Sequence, residues 1–421
     1  TFHSEITAEV SSLFIYNYYL FPPGAIPQPV GRNVEYLDSG RRLRNGLFTW
    51  EMNNIAKAAP EPLSPPVSST RTQIFFALSA IQGFQRVSVF DSWENTSKII
   101  YNTLNPGLRD AGAVKAAAEQ CTAQAADTAL TEKVDRVFRY IKQNCEYKRT
   151  SQQELFFAPP EYTLEKKEGG TADLSALMIQ MLRDTGVRAY PALIPTRNDP
   201  PFLRNFPSPT QFTRLIVYVP GSQDTLWINP AGSLTGWRAL PWQDQGQPAL
   251  ILDSEHGSFS RTPVSSAWQS MASHDAAMTV AQDGAVTLDG KMTVTGLCAD
   301  ECIESIKNRS LDERKKYILE RLGSGFADGE VTSLSVPADL KARDSLTIGY
   351  SVRVKSGAKA VAERIMFSPH LGGKCSSEPF AAVKRSAPVF FEYPYAAVTN
   401  VRINLPEGYE LESGLKDEYL E

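Results

Sequence analysis

The sequence is sparing with the residues that usually announce thiol or metal chemistry. Among 421 residues it has five Cys and four His. Four of the Cys positions, Cys121, Cys145, Cys298 and Cys375, are widely spaced, and only Cys302 sits close to another, Cys298. A zinc site usually needs two close pairs, or a pair and a His cluster, and neither is present; no pattern calls for a metal or a cofactor. An odd number of Cys excludes complete pairing within the chain, and a Cys298–Cys302 bridge inside one helical turn would be strained. No apolar run approaches the ~20 residues of a membrane span, so no span is expected. No charge of one sign dominates: 43 Lys+Arg stand against 47 Asp+Glu, a net charge of −4. That balance argues against a nucleic-acid binder working through a strongly basic face. The opening TFHSEITAEV lacks a basic and then apolar leader, so a signal peptide is expected to be absent or already removed.

What is present is a globular composition, 42% apolar and 21% charged. At roughly 150 residues per domain, the length suggests two or three domains. Residues 1–105 read as a β-rich domain. The stretches 12–21 and 72–79 are β-branched and aromatic, and four prolines between Ala59 and Pro66 exclude a helix or central strand there. The character changes after Phe90, and residues 106–255 read as a separate domain. A helix start is expected at Asp91-Ser92-Trp93-Glu94, and an Ala-rich helix within 106–130. Val134, Val137, Phe138 and Ile141 then mark an amphipathic helix, with Thr131 as a plausible cap. Gly169-Gly170 opens the strongest helix, carrying Leu174, Leu177, Met178, Met181 and Leu182 on one stripe and stopped by Gly186. A strand at 187–194, a Pro-rich loop at 198–209, and a hairpin of 212–219 with 225–229 follow. Residues 256–421 are β-rich again, with a hairpin turn at Asp283-Gly284, alternating strands at 346–354 and 401–405, and one helix opened by the capping box Ser310–Glu313.

The middle segment resembles a transglutaminase-like, papain-related core. Gly169-Gly170-Thr171-Ala172-Asp173-Leu174 and Leu182 to Tyr190 resemble the family's Gly-Asp-Cys-Lys-Asp and Leu-Leu-Arg-Ala-Leu-Gly-Ile-Xaa-Ala-Tyr segments. Phe212 to Val217 resembles its Phe-Asn-His-Val-Ile-Val strand, and Trp227-Ile228-Asn229-Pro230 its Trp-Leu-Asp-Pro strand. Phe48-Thr49-Trp50-Glu51 and Ile403 to Tyr409 look like the β-rich N- and C-terminal domains that flank this core in bacterial proteins, especially those of the Bacteroidetes type. The resemblance implies an α+β fold: a papain-like/transglutaminase-like core flanked by two β-sandwich-like domains. It also implies a periplasmic or extracellular location.

In the family a Cys at a helix N-terminus gains thiolate character from the helix dipole and a His, and an Asp or Asn orients that His. A hairpin centred on residue 222 sets positions 214 and 229 nearly opposite, roughly 5 Å apart at Cβ. The scaffold of a triad is thus expected, without its chemistry. The nucleophile position holds Thr171, the base position Arg214 and the orienting position Asn229. A hydroxyl without a base is a poor nucleophile, and a guanidinium does not accept a proton near neutral pH. Cys145 reads more simply as a packing residue, and Ser175 has no His near it in sequence; His3, His256, His274 and His370 all lie outside the core. Arg214 suits a carboxylate or phosphate of a ligand, or a carboxylate of the core itself. Trp227 and Asp173 are the other candidate binding residues; packing and a first-turn carboxylate are their plainer roles. Loop 198–209 reads as a surface loop or a lid. The expected function is a catalytically inactive relative that binds peptide, protein or glycan, or scaffolds an envelope assembly. The rival is an active hydrolase or acyltransferase with a displaced nucleophile.

Overall fold

The computed structural model describes residues 2–23, 29–32, 35–37, 42–55, 61–108, 112–123, 130–149, 154–221, 225–232, 236–340, 345–372, 385 and 387–412. Cys375, Pro60 and the centre of the 220–224 turn lie outside them. The architecture is α+β, in two compact units. One comprises Thr1–Ser233, Trp237–Ser265 and Lys384–Glu392, and the other Leu234–Gly236, Ser266–Val383 and Tyr393–Glu421.

In the first unit the N-terminal strands form a three-stranded sheet and a five-stranded sheet. Phe48 and Trp50 from strand Gly46–Ile55 of one sheet share an apolar cluster with Leu20 and Leu43 of the other. Two sheets closing over one core make a sandwich. The strands Phe14–Phe21 and Gln73–Gln82 pair antiparallel at its heart, where the β-branched and aromatic stretches were expected.

The core of the same unit layers helices on a five-stranded sheet. Helix Trp93–Leu104 starts where Ser92 accepts the Asn95 N–H at 3.1 Å. Helix Leu130–Asn144 buries Val134, Val137, Phe138 and Ile141, the stripe read from the sequence. Helix Thr171–Asp184 is buried nearly all round, because helices cover one side and the sheet the other. It ends as a helix with a C′ glycine should: Gly186 takes φ +79°, and the Val187 N–H returns to the Leu182 carbonyl at 2.9 Å. The sheet runs Leu226–Ile228, Arg214–Val219, Tyr190–Ile194, Pro248–Ile251, Ser258–Arg261, all neighbours antiparallel. Its last strand lies past residue 255, so the core sheet continues beyond the boundary expected there.

The second unit has a five-stranded sheet in the order Glu330–Ser335, Ser345–Val354, Val286–Thr295, Met271–Val280, Ala396–Asn404. Gly284, at φ +85°, turns the Met271–Val280 and Val286–Thr295 hairpin, as its Asp-Gly pair requires. The capping box holds: the Ser310 N–H donates to Glu313 at 2.8 Å. A second helix, Gly296–Ile306, precedes it and was not foreseen. Its buried positions include Cys298, Cys302, Ile303 and Ile306, a stripe in which two cysteines do the work of apolar residues.

Candidate functional site

The Thr171 helix is set in place by its approach. Helix Pro160–Lys166 stops at Lys167, which takes the left-handed conformation at φ +57°. The chain then pairs in parallel with Glu146–Tyr147, putting Tyr147 beside Gly169. Gly169 has to be glycine: a Cβ there would lie 2.6 Å from the Asp173 Cβ. Asp173 accepts the Gly170 N–H and the Ala158 N–H, both at 2.8 Å. Each oxygen is committed, so Asp173 is a cap that also ties the irregular segment before helix Pro160–Lys166 to this helix. Asp173→Ala is expected to cost about 1–2 kcal/mol in urea denaturation. An unchanged midpoint would remove this role.

At the helix start Thr171 is 2% exposed. Its hydroxyl donates to Glu154 Oε2 at 2.7 Å, and its backbone N–H reaches Oε1 of the same carboxylate at 3.3 Å. Glu154 is itself 5% exposed and bridges to the strand carrying Arg214. Its N–H donates to the Thr213 carbonyl at 2.9 Å, and its carbonyl accepts the Leu215 N–H at 3.1 Å. The Tyr147 hydroxyl joins the same cluster. Burial pushes its pKa up, the Glu154 charge adds to that, and a hydrogen bond with Thr171 and the Arg214 charge oppose it.

Arg214 pairs with Asp244, which is fully buried. Asn229, also buried, donates its amide to the other oxygen of Asp244 at 2.6 Å and accepts the Ala231 and Gly232 N–H groups at 3.0 and 3.1 Å. Burial pushes the Asp244 pKa above the usual carboxylate range; the Arg214 charge and the Asn229 hydrogen bond pull against it. Gly232 closes this corner: a Cβ would stand 2.4 Å from Pro241.

Thr171 is thus held by the Glu154 carboxylate, whose backbone pairs with the strand carrying Arg214, while Arg214 and Asn229 share Asp244; sequence reasoning missed both carboxylates. The expected register needs correction as well. Val217 pairs with Ile228 and Tyr218 with Trp227, one residue out from a hairpin centred on 222. Arg214 and Asn229 are consequently diagonal, not opposite, and Asp244 spans the difference.

Trp227, a candidate for binding, is placed in the apolar packing of the sheet. It is 9% exposed and packs edge-on against Tyr218 at 5.0 Å, in the apolar cluster on one face of the sheet. A buried ring of that kind is core. Loop 198–209 is held down rather than poised to close. Phe206 is buried, Phe202 stacks on Trp93 at 5.5 Å, and the Trp93 indole donates to the Arg204 carbonyl at 2.6 Å.

The displaced nucleophiles fare poorly. Burial raises the Cys145 pKa, with Lys167 only partly opposing it, so the thiol is held protonated. The Ser175 hydroxyl is fully buried with no hydrogen-bond partner among the described residues. His3 bonds Asn53, and His256 sits by Glu94 on the surface. His274 does share a cavity with Cys298 and Cys302 in the second unit, but its ring faces the Tyr350 hydroxyl at 3.3 Å. That cavity holds about 50 Å³, room for a few waters and not for a peptide. Among the described residues, no three His, Cys, Asp or Glu side chains are grouped to hold a metal ion, and no helix is long and apolar enough to cross a membrane.

Residues 115–213 match the model of the transglutaminase-like superfamily. No curated protein matches the chain. Two solved structures are similar. A "putative protease" from Parabacteroides distasonis is 11% identical with a TM-score of 0.46, covering 84% of this chain and 69% of that one. A "putative cysteine protease" from Cytophaga hutchinsonii is 15% identical with a TM-score of 0.26, covering 62% of this chain and 84% of that one.

Proposed function

Residues 115–213 being a transglutaminase-like domain, we propose that the protein is a catalytically inactive member of that superfamily. In this reading it binds peptide, protein or glycan, or scaffolds an assembly of the bacterial envelope, with β-rich segments on either side of the core. One observation carries the reading. The Glu154 carboxylate already holds both the hydroxyl and the backbone N–H of Thr171. In acyl transfer a backbone N–H at the nucleophile is a donor to the developing oxyanion. Here the Glu154 carboxyl group occupies that donor, which is therefore not free to meet a substrate oxygen. The base position holds Arg214, bound to Asp244, and the orienting position Asn229 serves the same carboxylate.

The test is direct. The intact protein is incubated with casein, with a glutamine-donor peptide and amine acceptor, and with an electrophilic thiol probe at neutral pH. No turnover is expected, and labelling of Cys145 should be slow and no faster than in an unstructured thiol peptide. Turnover that disappears in Cys145→Ala or Thr171→Ala would overturn the reading and support the displaced nucleophile. The envelope location is supported only by the sequence resemblance. Cell fractionation tests it, and recovery in the cytoplasm alone would refute it.

A further inference from the structure

The first unit also carries a groove of about 940 Å³ that none of the triad positions lines. Its walls are loop 196–204, the start of strand Pro248–Ile251, and strand Ser258–Arg261. Three guanidinium groups border it, from Arg197, Arg204 and Arg261. Arg197 is committed: it donates to the carbonyls of Phe391 and Glu392, and its guanidinium lies 4.3 Å from the Phe390 ring centroid. The other two cations are exposed, and neither has a carboxylate partner among the described residues. The Arg204 Cζ lies over the Phe259 ring, 3.5 Å from its centroid, and Arg261 is steadied by donating to the Gly246 carbonyl at 2.6 Å. Stacking and this single bond fix the two guanidinium groups while leaving donors for a ligand. The one carboxylate in the lining, Asp199, accepts the Thr196 N–H and the Thr196 and Thr213 hydroxyls on one oxygen, Oδ2, and its single charge stands against the three guanidinium groups.

The wall formed by Ser258–Arg261 is the edge strand of its sheet. Its pairing phase is set by the Thr262 N–H, which donates to the Gln247 carbonyl at 2.9 Å. Alternation along an antiparallel ladder then turns the N–H and C=O groups of Ser258 and Ser260 toward the neighbouring strand and those of Phe259 and Arg261 away from it. An extended chain can bond to these outward groups. Phe259, beneath Arg204, and Arg261 are two residues apart, about 6.8 Å along a strand, which matches alternate side chains of an added strand.

We propose that this groove binds an extended acidic peptide, which adds to the Ser258–Arg261 edge and places alternate carboxylates on Arg204 and Arg261. Charge supplies the preference for acid, and the outward backbone groups supply the preference for a peptide over an acidic sugar chain. The inference goes beyond the reading of Thr171 and does not depend on it: binding is read here with no reference to turnover.

The test uses the full chain and a fluorescein-labelled octapeptide with Glu at every second position, followed by anisotropy. Saturable binding is expected, weakening as salt is raised. Arg204→Gln and Arg261→Gln should each weaken it at least fivefold, since each removes a charge-assisted bond, with unchanged urea midpoints. The same peptide with Gln in place of Glu, or with alternate backbone nitrogens methylated, should not bind. No saturable binding, binding that both Arg variants leave intact, or equal binding of the methylated peptide would overturn the proposal. Displacement of the peptide by polygalacturonate at equal carboxylate concentration would overturn the assignment to a peptide.

Discussion

Arg214→Ala is expected to destabilise the core by about 3 kcal/mol at pH 8, the low end for breaking a buried ion pair by removing one partner. The low end applies because the two partners differ in their access to water: the Arg214 side chain is 27% exposed and that of Asp244 is 0%. Removing Arg214 strands a charge that water cannot reach, although Asn229 still donates to it. Asp244→Asn removes the opposite member and should cost less, about 1 kcal/mol, because Arg214 can turn to solvent and the new amide can still meet Asn229. The pair thus makes an ordered prediction, Arg214→Ala worse than Asp244→Asn. Urea denaturation of the two variants checks it, and equal costs would show that the asymmetry of burial does not govern the site.

The same pair fixes a sign in pH. Burial raises the folded-state pKa of Asp244. A carboxyl raised in this way binds its proton more tightly in the folded chain. Its contribution to stability is therefore present at low pH and is lost as pH rises from the unfolded value through the folded one. Arg214 holds that folded value down. Without it the window of loss extends upward, so the cost of Arg214→Ala should be largest at pH 8 and shrink on acidification, as Asp244 takes up its proton. A cost that grows on acidification would contradict the pairing.

Much of this core was legible in the sequence because local rules and tertiary packing agree there. The stripe from Leu174 to Leu182, its opening Gly169-Gly170 and its stop at Gly186 are a buried helix on any of these grounds. Thr171, Arg214 and Asn229 were placed at a helix start and on two strands, and they lie at the start of helix Thr171–Asp184, at the start of strand Arg214–Val219 and just past strand Leu226–Ile228. What could not be located were their partners. The reading of Arg214 left a ligand carboxylate and a core carboxylate equally open, and 47 acidic residues were available. Asp244 sits in the short turn Trp242–Asp244 and Glu154 in a strand-like segment with no periodic signal, so only the three-dimensional path selects them. The hairpin register was missed by one residue because turn chemistry between Pro220 and Thr225 does not fix loop length. Trp227 illustrates another limit: alternation in a strand flanked on both faces by apolar clusters does not say which side is wet.

Phe212→Ala is the other change expected to be large, at about 3–5 kcal/mol, the usual range for emptying a buried aromatic site. Phe212 is fully buried, two residues before Arg214, and its ring lies 5.8 Å from Trp93 and 5.6 Å from Phe202. Trp93 in turn meets Phe259 edge-on at 5.1 Å. Four rings from a helix, a loop, the approach to a central strand and the edge strand thus close one cluster, and Phe212 is its most buried member. Its loss should not be confined to stability. Phe259 carries the Arg204 guanidinium, so relaxation of the cluster should also loosen the cationic wall of the groove. The expected result is a lowered urea midpoint, an altered Trp93 emission in the native state, and weaker binding of the acidic peptide. Phe212→Leu, which keeps most of the volume, should recover most of the stability and the binding together. Recovery of stability without binding would mean that the ring itself, and not the filled space, sets the position of Phe259.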